Sequence, residues 1–84
     1  MGNMDKEALM ARIEELLSSL HQHQCEKARK IAHQHLPNLT AEDLLNPDNF
    51  PSVVRDPNFM YEDGLAAGIL SAKIAVRAAL RELI

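Results

Sequence analysis

The last third of the chain, Pro57 to Ile84, limits most strongly what this sequence can become. Laid out as one helix at 100° per residue, it carries apolar or small side chains on nearly every side. Only a narrow stripe of Lys73, Arg77 and Arg81 is basic. A helix of that kind needs more than one neighbour to cover it. One apolar face holds Tyr61, Leu65, Ile69, Ala72, Val76, Ala79, Leu80 and Leu83, mostly at alternating spacings of four and three. Nearly opposite lie Met60, Ala67, Leu70, Ile74 and Ala78, with Gly64, Gly68, Ser71 and Ala75 as a small-residue groove between the two faces. The two glycines lower helix propensity by about 1 kcal/mol each relative to alanine, so close packing along the groove is the expected compensation.

The start of this helix is well marked. Asp56 suits the N-cap and Pro57 the first helical position, while Glu62 and Asp63 lie early enough to favour its positive end. Upstream, Leu9, Met10, Ile13, Leu16, Leu17 and Leu20 form an apolar stripe whose phase continues through Gln24, Ala28, Ile31 and His35. Asn3 or Asp5 is a fitting cap. Neither Gly nor Pro interrupts the polar middle, His21 to Lys27, so a single helix over about 5–36 is expected, ending at Pro37.

Residues 37–56 hold three of the four prolines and form the connection. Thr40 followed by Asp43 resembles a capping box and predicts a short helix over 41–46, stopped at the Asn46-Pro47 step. Asn46-Pro47 and Asp56-Pro57 both read as a cap residue followed by a proline preset for the next turn. These echoes are too short to signal a repeat architecture.

With 84 residues there is room for one domain, 1–84, and a single core of that size is marginal unless something reinforces it. Cys25 is the only cysteine, so no intrachain disulfide or cysteine zinc cluster is available, and a reducing, cytoplasmic setting is expected. Twelve acidic residues against nine basic ones give a net charge of −3, too mild to imply a nucleic-acid or membrane surface. Lys73 and Arg77 interrupt the most apolar run well short of a membrane span. The polar start, Met1 to Lys6, lacks the apolar centre of a signal peptide, and Lys6 stands where a myristoylation motif needs Ser or Thr. A soluble protein with no nucleic-acid or membrane partner is the expectation.

The first and last helices are expected to form an antiparallel hairpin in which facing residues have numbers summing to roughly 92. Charge supports that direction. The acidic start of the first helix (Asp5, Glu7, Glu14, Glu15) would lie beside Arg77 and Arg81, and its basic end (Lys27, Arg29, Lys30) beside Glu62 and Asp63. The first helix has one apolar stripe, which is assigned to the Leu65-to-Leu83 face. The face of Met60, Leu70 and Ile74 with its groove is then left for a partner. An all-α hairpin pairing into a four-helix bundle dimer follows as the expected architecture.

Chemistry is less legible. His21 and Cys25, four apart on one flank of the first helix, present two ligands to a metal, but no recognisable spacing supplies a third or fourth. His35 on the apolar stripe is expected to be partly buried. No Glu-x-x-His or phosphate-binding glycine loop is present, and a helix interior gives Cys25 no oxyanion donors. No cofactor is implied. Phe50, Phe59 and Tyr61, with Glu62, concentrate the aromatics at one end, as a hydrophobic cap or a docking end for a partner. The expected function is a non-enzymatic helical interaction module, self-associating or binding a heterologous helix. The alternative is a small metal-binding or enzymatic bundle using His21, Cys25 and His35 with Glu62 or Asp63.

Overall fold

Helix α1 spans Asn3–His35 and passes through the polar stretch without a break, as the absence of Gly and Pro predicts. The computed structural model describes the backbone of residues 3–83 and the side chains of residues 5–83. Pro37 ends α1, the last turn closing with the Leu36 N–H on the Ala32 carbonyl at 2.9 Å. The His33 Nε2–H donates to the Leu39 carbonyl at 2.6 Å and folds the chain back on itself.

The capping box forms in both directions. The Thr40 N–H donates to Asp43 Oδ2 at 3.0 Å, and the Asp43 N–H to Thr40 Oγ1 at 3.1 Å. The helix expected over 41–46 is nevertheless only a turn and a 3-10 segment, Asp43–Leu45. Pro47 forces Asn46 to φ −128° and ψ 67°, outside the helical region, so the turn cannot propagate. A second 3-10 segment, Pro47–Asn49, and helix α2, Pro51–Val54, complete the connection.

Helix α3 spans Pro57–Glu82. Asp56 caps it as expected, its Oδ1 accepting from the N–H groups of Asn58 at 2.8 Å and Phe59 at 3.4 Å. Helices α1 and α3 pack against each other as an antiparallel hairpin, shown by contacts that run in opposite order along the two: Glu14 with Arg77, Gln24 with Glu62, His35 with Asp56. Arg77 Nε lies 3.4 Å from Glu14 Oε1, at the expected register. The other end differs from expectation. Glu62 is taken by the Gln24 amide, which donates to its carbonyl at 3.0 Å and to its carboxylate, and Arg29 instead bridges to Glu26 on its own helix.

The core lies at the connection end. Ala28, Ala32, Leu39, Val53 and Phe59 form one buried cluster, with Ile31, Leu44 and Phe50 packed against it and Ala66 buried nearby. Among the described residues none before Gln24 or after Ala66 is buried. The hairpin measures 53 × 18 × 18 Å, and its radius of gyration of 16.3 Å exceeds the roughly 12 Å expected of a compact chain of this length.

The orientation of α3 corrects the expected face. Phe59, Glu62, Ala66, Ile69, Lys73, Val76 and Leu80 line the seam with α1, whereas Tyr61, Leu65, Ala72, Ala79 and Leu83 are exposed. The helix is rolled by roughly 65° from the face that hydrophobic spacing alone selects, which keeps Ile69, Val76 and Leu80 of that face in the seam. Three ties hold it there. Burial of Phe59 at the connection end, the Gln24–Glu62 bonds and the Arg77–Glu14 pair all accompany that roll. A corresponding offset appears on α1, where Met10, Ile13, Leu17, Gln24, Ala28 and Ile31 keep to the seam but Leu9, Leu16 and Leu20 are 61%, 51% and 47% exposed.

Candidate functional site

The roll of α3 leaves apolar surface on two sides of the hairpin. On one side the connection folds over the helices and forms a cleft of about 560 Å³. His21, Cys25 and Arg29 of α1, Asp63, Ala66 and Leu70 of α3, and Leu44, Leu45 and Pro47 of the connection border it. Leu44, Leu45 and Pro47 were not foreseen as part of any site, because the connection's fold-back cannot be derived from periodicity. The opposite side carries the exposed leucines of α1 together with Leu65, Ala72, Ala79 and Leu83 of α3. Both sets are displaced from the seam in the sense opposite to the cleft residues. The 4-3-4 spacing of Leu9, Ile13, Leu16 and Leu20 was the sequence signal for this second flank.

Met60, Gly64, Ala67, Gly68, Leu70, Ser71, Ile74, Ala75 and Ala78, the residues expected to await a partner, are all exposed. Nothing lies within 4 Å of a Cβ built on Gly64 or Gly68, so within the hairpin no backbone uses the small-residue groove. The aromatic end is not brought together as one patch. Phe59 is 1% exposed at the centre of the core, Phe50 packs against its edge, and Tyr61 points outward at 66% exposure. Glu62 is half-buried in the seam rather than at a docking surface.

His21 and Cys25 do meet, with Nε2 and Sγ 3.4 Å apart. Partial burial and, secondarily, the negative charge of Asp63 push the Cys25 thiol above its ordinary value, which reduces its thiolate character. No group of three or more His, Cys, Asp or Glu side chains among the described residues is placed to hold a metal ion. His35 stands apart from that pair and is more exposed than expected. Its Nε2–H donates to Asp56 Oδ2 at 2.8 Å, tying the end of α1 to the cap of α3. That bond first, and the Asn58 N–H second, hold the Asp56 carboxyl below the usual carboxylate range.

The physical quantity that stands out is surface. The chain exposes 6335 Å², against roughly 5,000 Å² for a compact monomer of 9.4 kDa. No helix among the described residues is long and apolar enough to cross a membrane. Comparison with protein-family models, with curated proteins and with solved structures finds no match.

Proposed function

We propose that this chain is a non-enzymatic helical association module. It acts by burying, against another pair of helices, the apolar faces its own hairpin leaves open. A second copy is the first candidate partner, giving a four-helix bundle; a heterologous helix, as in an adaptor, is the other. The observation that carries the reading is the position of the large apolar side chains. Leu9, Leu16, Leu20, Leu65, Ile74 and Leu83 lie outside, while Glu14, Gln24, Glu62 and Lys73 occupy the seam between the helices. A hairpin stabilised only by its own seam would place these sets the other way round.

The lone thiol suits a reducing compartment, and we place the protein in the cytoplasm on that ground. The metal-binding or enzymatic alternative has less support, since His21 and Cys25 meet without a third ligand among the described residues and the thiol is shifted away from its reactive form. Sedimentation equilibrium at micromolar concentration tests the self-associating form. A mass twice that of the chain is expected. A monodisperse 9.4 kDa monomer that melts cooperatively refutes it.

A further inference from the structure

We propose that the cleft beneath the connection binds a small organic cation, a molecule with an apolar body and an ammonium group, the ammonium meeting the Asp63 carboxylate. This goes beyond the association proposed above, since it uses the cleft side of the hairpin and needs no second copy.

The cleft has the make-up of a small-molecule site. Its volume of about 560 Å³ lies within the roughly 300–1,000 Å³ of such pockets, and its walls are mainly apolar with a few polar groups at fixed places. Ala28 and Phe59 reach it from the core, Ala66 and Leu70 continue it along α3, and Leu44 and Leu45 close it from the connection. It is also short. The α1 wall runs from His21 to Arg29 and the α3 wall from Phe59 to Leu70, roughly 12 and 17 Å at 1.5 Å per residue. A partner helix of average length, about 17 Å long and 10 Å across, occupies roughly 1,300 Å³, more than twice what the cleft holds.

Charge selects the ligand. The titratable side chains facing the cleft are His21, Cys25, Glu26, Arg29 and Asp63. Arg29 Nη2 lies 3.9 Å from Glu26 Oε1, so that cation and anion offset each other, and His21 Nε2 is turned to Cys25 Sγ at 3.4 Å. Asp63 is left over. It is half-buried, and its carboxylate makes no ion pair or side-chain hydrogen bond among the described residues. Its charge reaches Cys25, where it adds to the effect of burial in raising the thiol. Asp63, Ala66 and Leu70 are three and four residues apart, which sets the carboxylate beside apolar wall on one flank of α3. An ammonium supplies the charge-assisted hydrogen bond that Asp63 lacks, while an apolar body covers Ala66 and Leu70. An anion would instead meet two carboxylates, with the one guanidinium already paired.

Cys25 borders the same cleft and is the only thiol of the chain, so its modification reports occupancy. The test measures the rate at which dithiodipyridine modifies Cys25 at pH 8 while naphthylethylamine, naphthylethanol or naphthylacetate is titrated in. The amine should slow modification several-fold and bind about tenfold tighter than the carboxylate. In Asp63→Asn the amine should fall to the affinity of the alcohol, and the alcohol should bind as it does to wild type. Ala67→Trp, at an exposed helical position bordering the cleft, should abolish protection with helicity by circular dichroism unchanged. No protection by millimolar amine, equal protection by amine and carboxylate, or amine protection that survives Asp63→Asn overturns the proposal. Protection that grows with protein concentration in the absence of any probe also overturns it, because a second copy would then cover the cleft.

Discussion

Replacing Phe59 with alanine is the most direct test of how α3 is rolled. Phe59 is 1% exposed and, with Val53, is one of the two largest fully buried side chains. Its neighbours in the cluster include Ala28 and Ala32, whose short side chains cannot swing into the space it vacates. The cost should therefore fall in the middle or upper part of the range for Phe→Ala in a core, about 4 kcal/mol. A chain of this length has a total stability of about 4–13 kcal/mol, so the loss is a large share of it. With a urea m-value of about 1–2 kcal/mol/M, the midpoint should fall by roughly 2–4 M, or the protein should be unfolded at the outset. Tyr61→Ala, two residues along, removes a side chain that is 66% exposed and should shift stability by no more than about 0.5 kcal/mol. The assay is urea unfolding followed by far-ultraviolet circular dichroism at one fixed protein concentration, because dimerisation would couple stability to concentration. Equal losses from the two variants, or a larger one from Tyr61→Ala, would refute the placement of Phe59 in the seam.

Three further outcomes follow from the same geometry. Because the Asp56 carboxyl titrates lower in the folded chain than in the unfolded one, the unfolded chain takes up its proton first. Its contribution is then complete above the ordinary carboxylate range and lost as pH falls through the depressed folded value. Urea midpoints measured through the acid range should accordingly fall less steeply for Asp56→Asn, which keeps a capping oxygen but does not titrate, than for wild type. Gly64→Ala should stabilise the fold by about 0.5–1 kcal/mol, since the position is helical and open; sedimentation should show its mass unchanged, whereas dissociation would identify the small-residue groove as an interface. Cys25 should react with iodoacetamide at pH 8 more slowly in the folded protein than in the urea-unfolded chain, and Asp63→Asn should speed the folded reaction.

The cap and breaker residues carried most of what could be read in advance. Asp56-Pro57 opens α3, Pro37 closes α1, and Thr40 bonds reciprocally with Asp43, because each acts through backbone geometry within a few residues of itself. The unbroken α1 was legible for the same local reason. The short helix over 41–46 was not, since the capping box favoured starting it while Pro47 limited how far it could run. The cleft beneath Leu44 and Leu45 depends on a connection that folds back, which no periodic pattern encodes.

The opening stretch, Pro57 to Ile84, shows where the division falls. By itself the sequence determined that α3 is a helix with too much apolar surface for one neighbour, because that property depends only on composition around a wheel. It also determined the register with α1 at the Glu14–Arg77 end, through complementary charges. Which face turns inward was decided only in three dimensions. Several arcs of α3 are apolar enough to pack, and hydrophobic burial is non-directional, so the helix wheel could not choose among them. The directional contacts that accompany the roll are Phe59 in the connection's core, the Gln24 amide on Glu62 and the Arg77 pair. The same roll left Leu9, Leu16 and Leu20 of α1 and Leu65, Ala72, Ala79 and Leu83 of α3 on one open side of the hairpin.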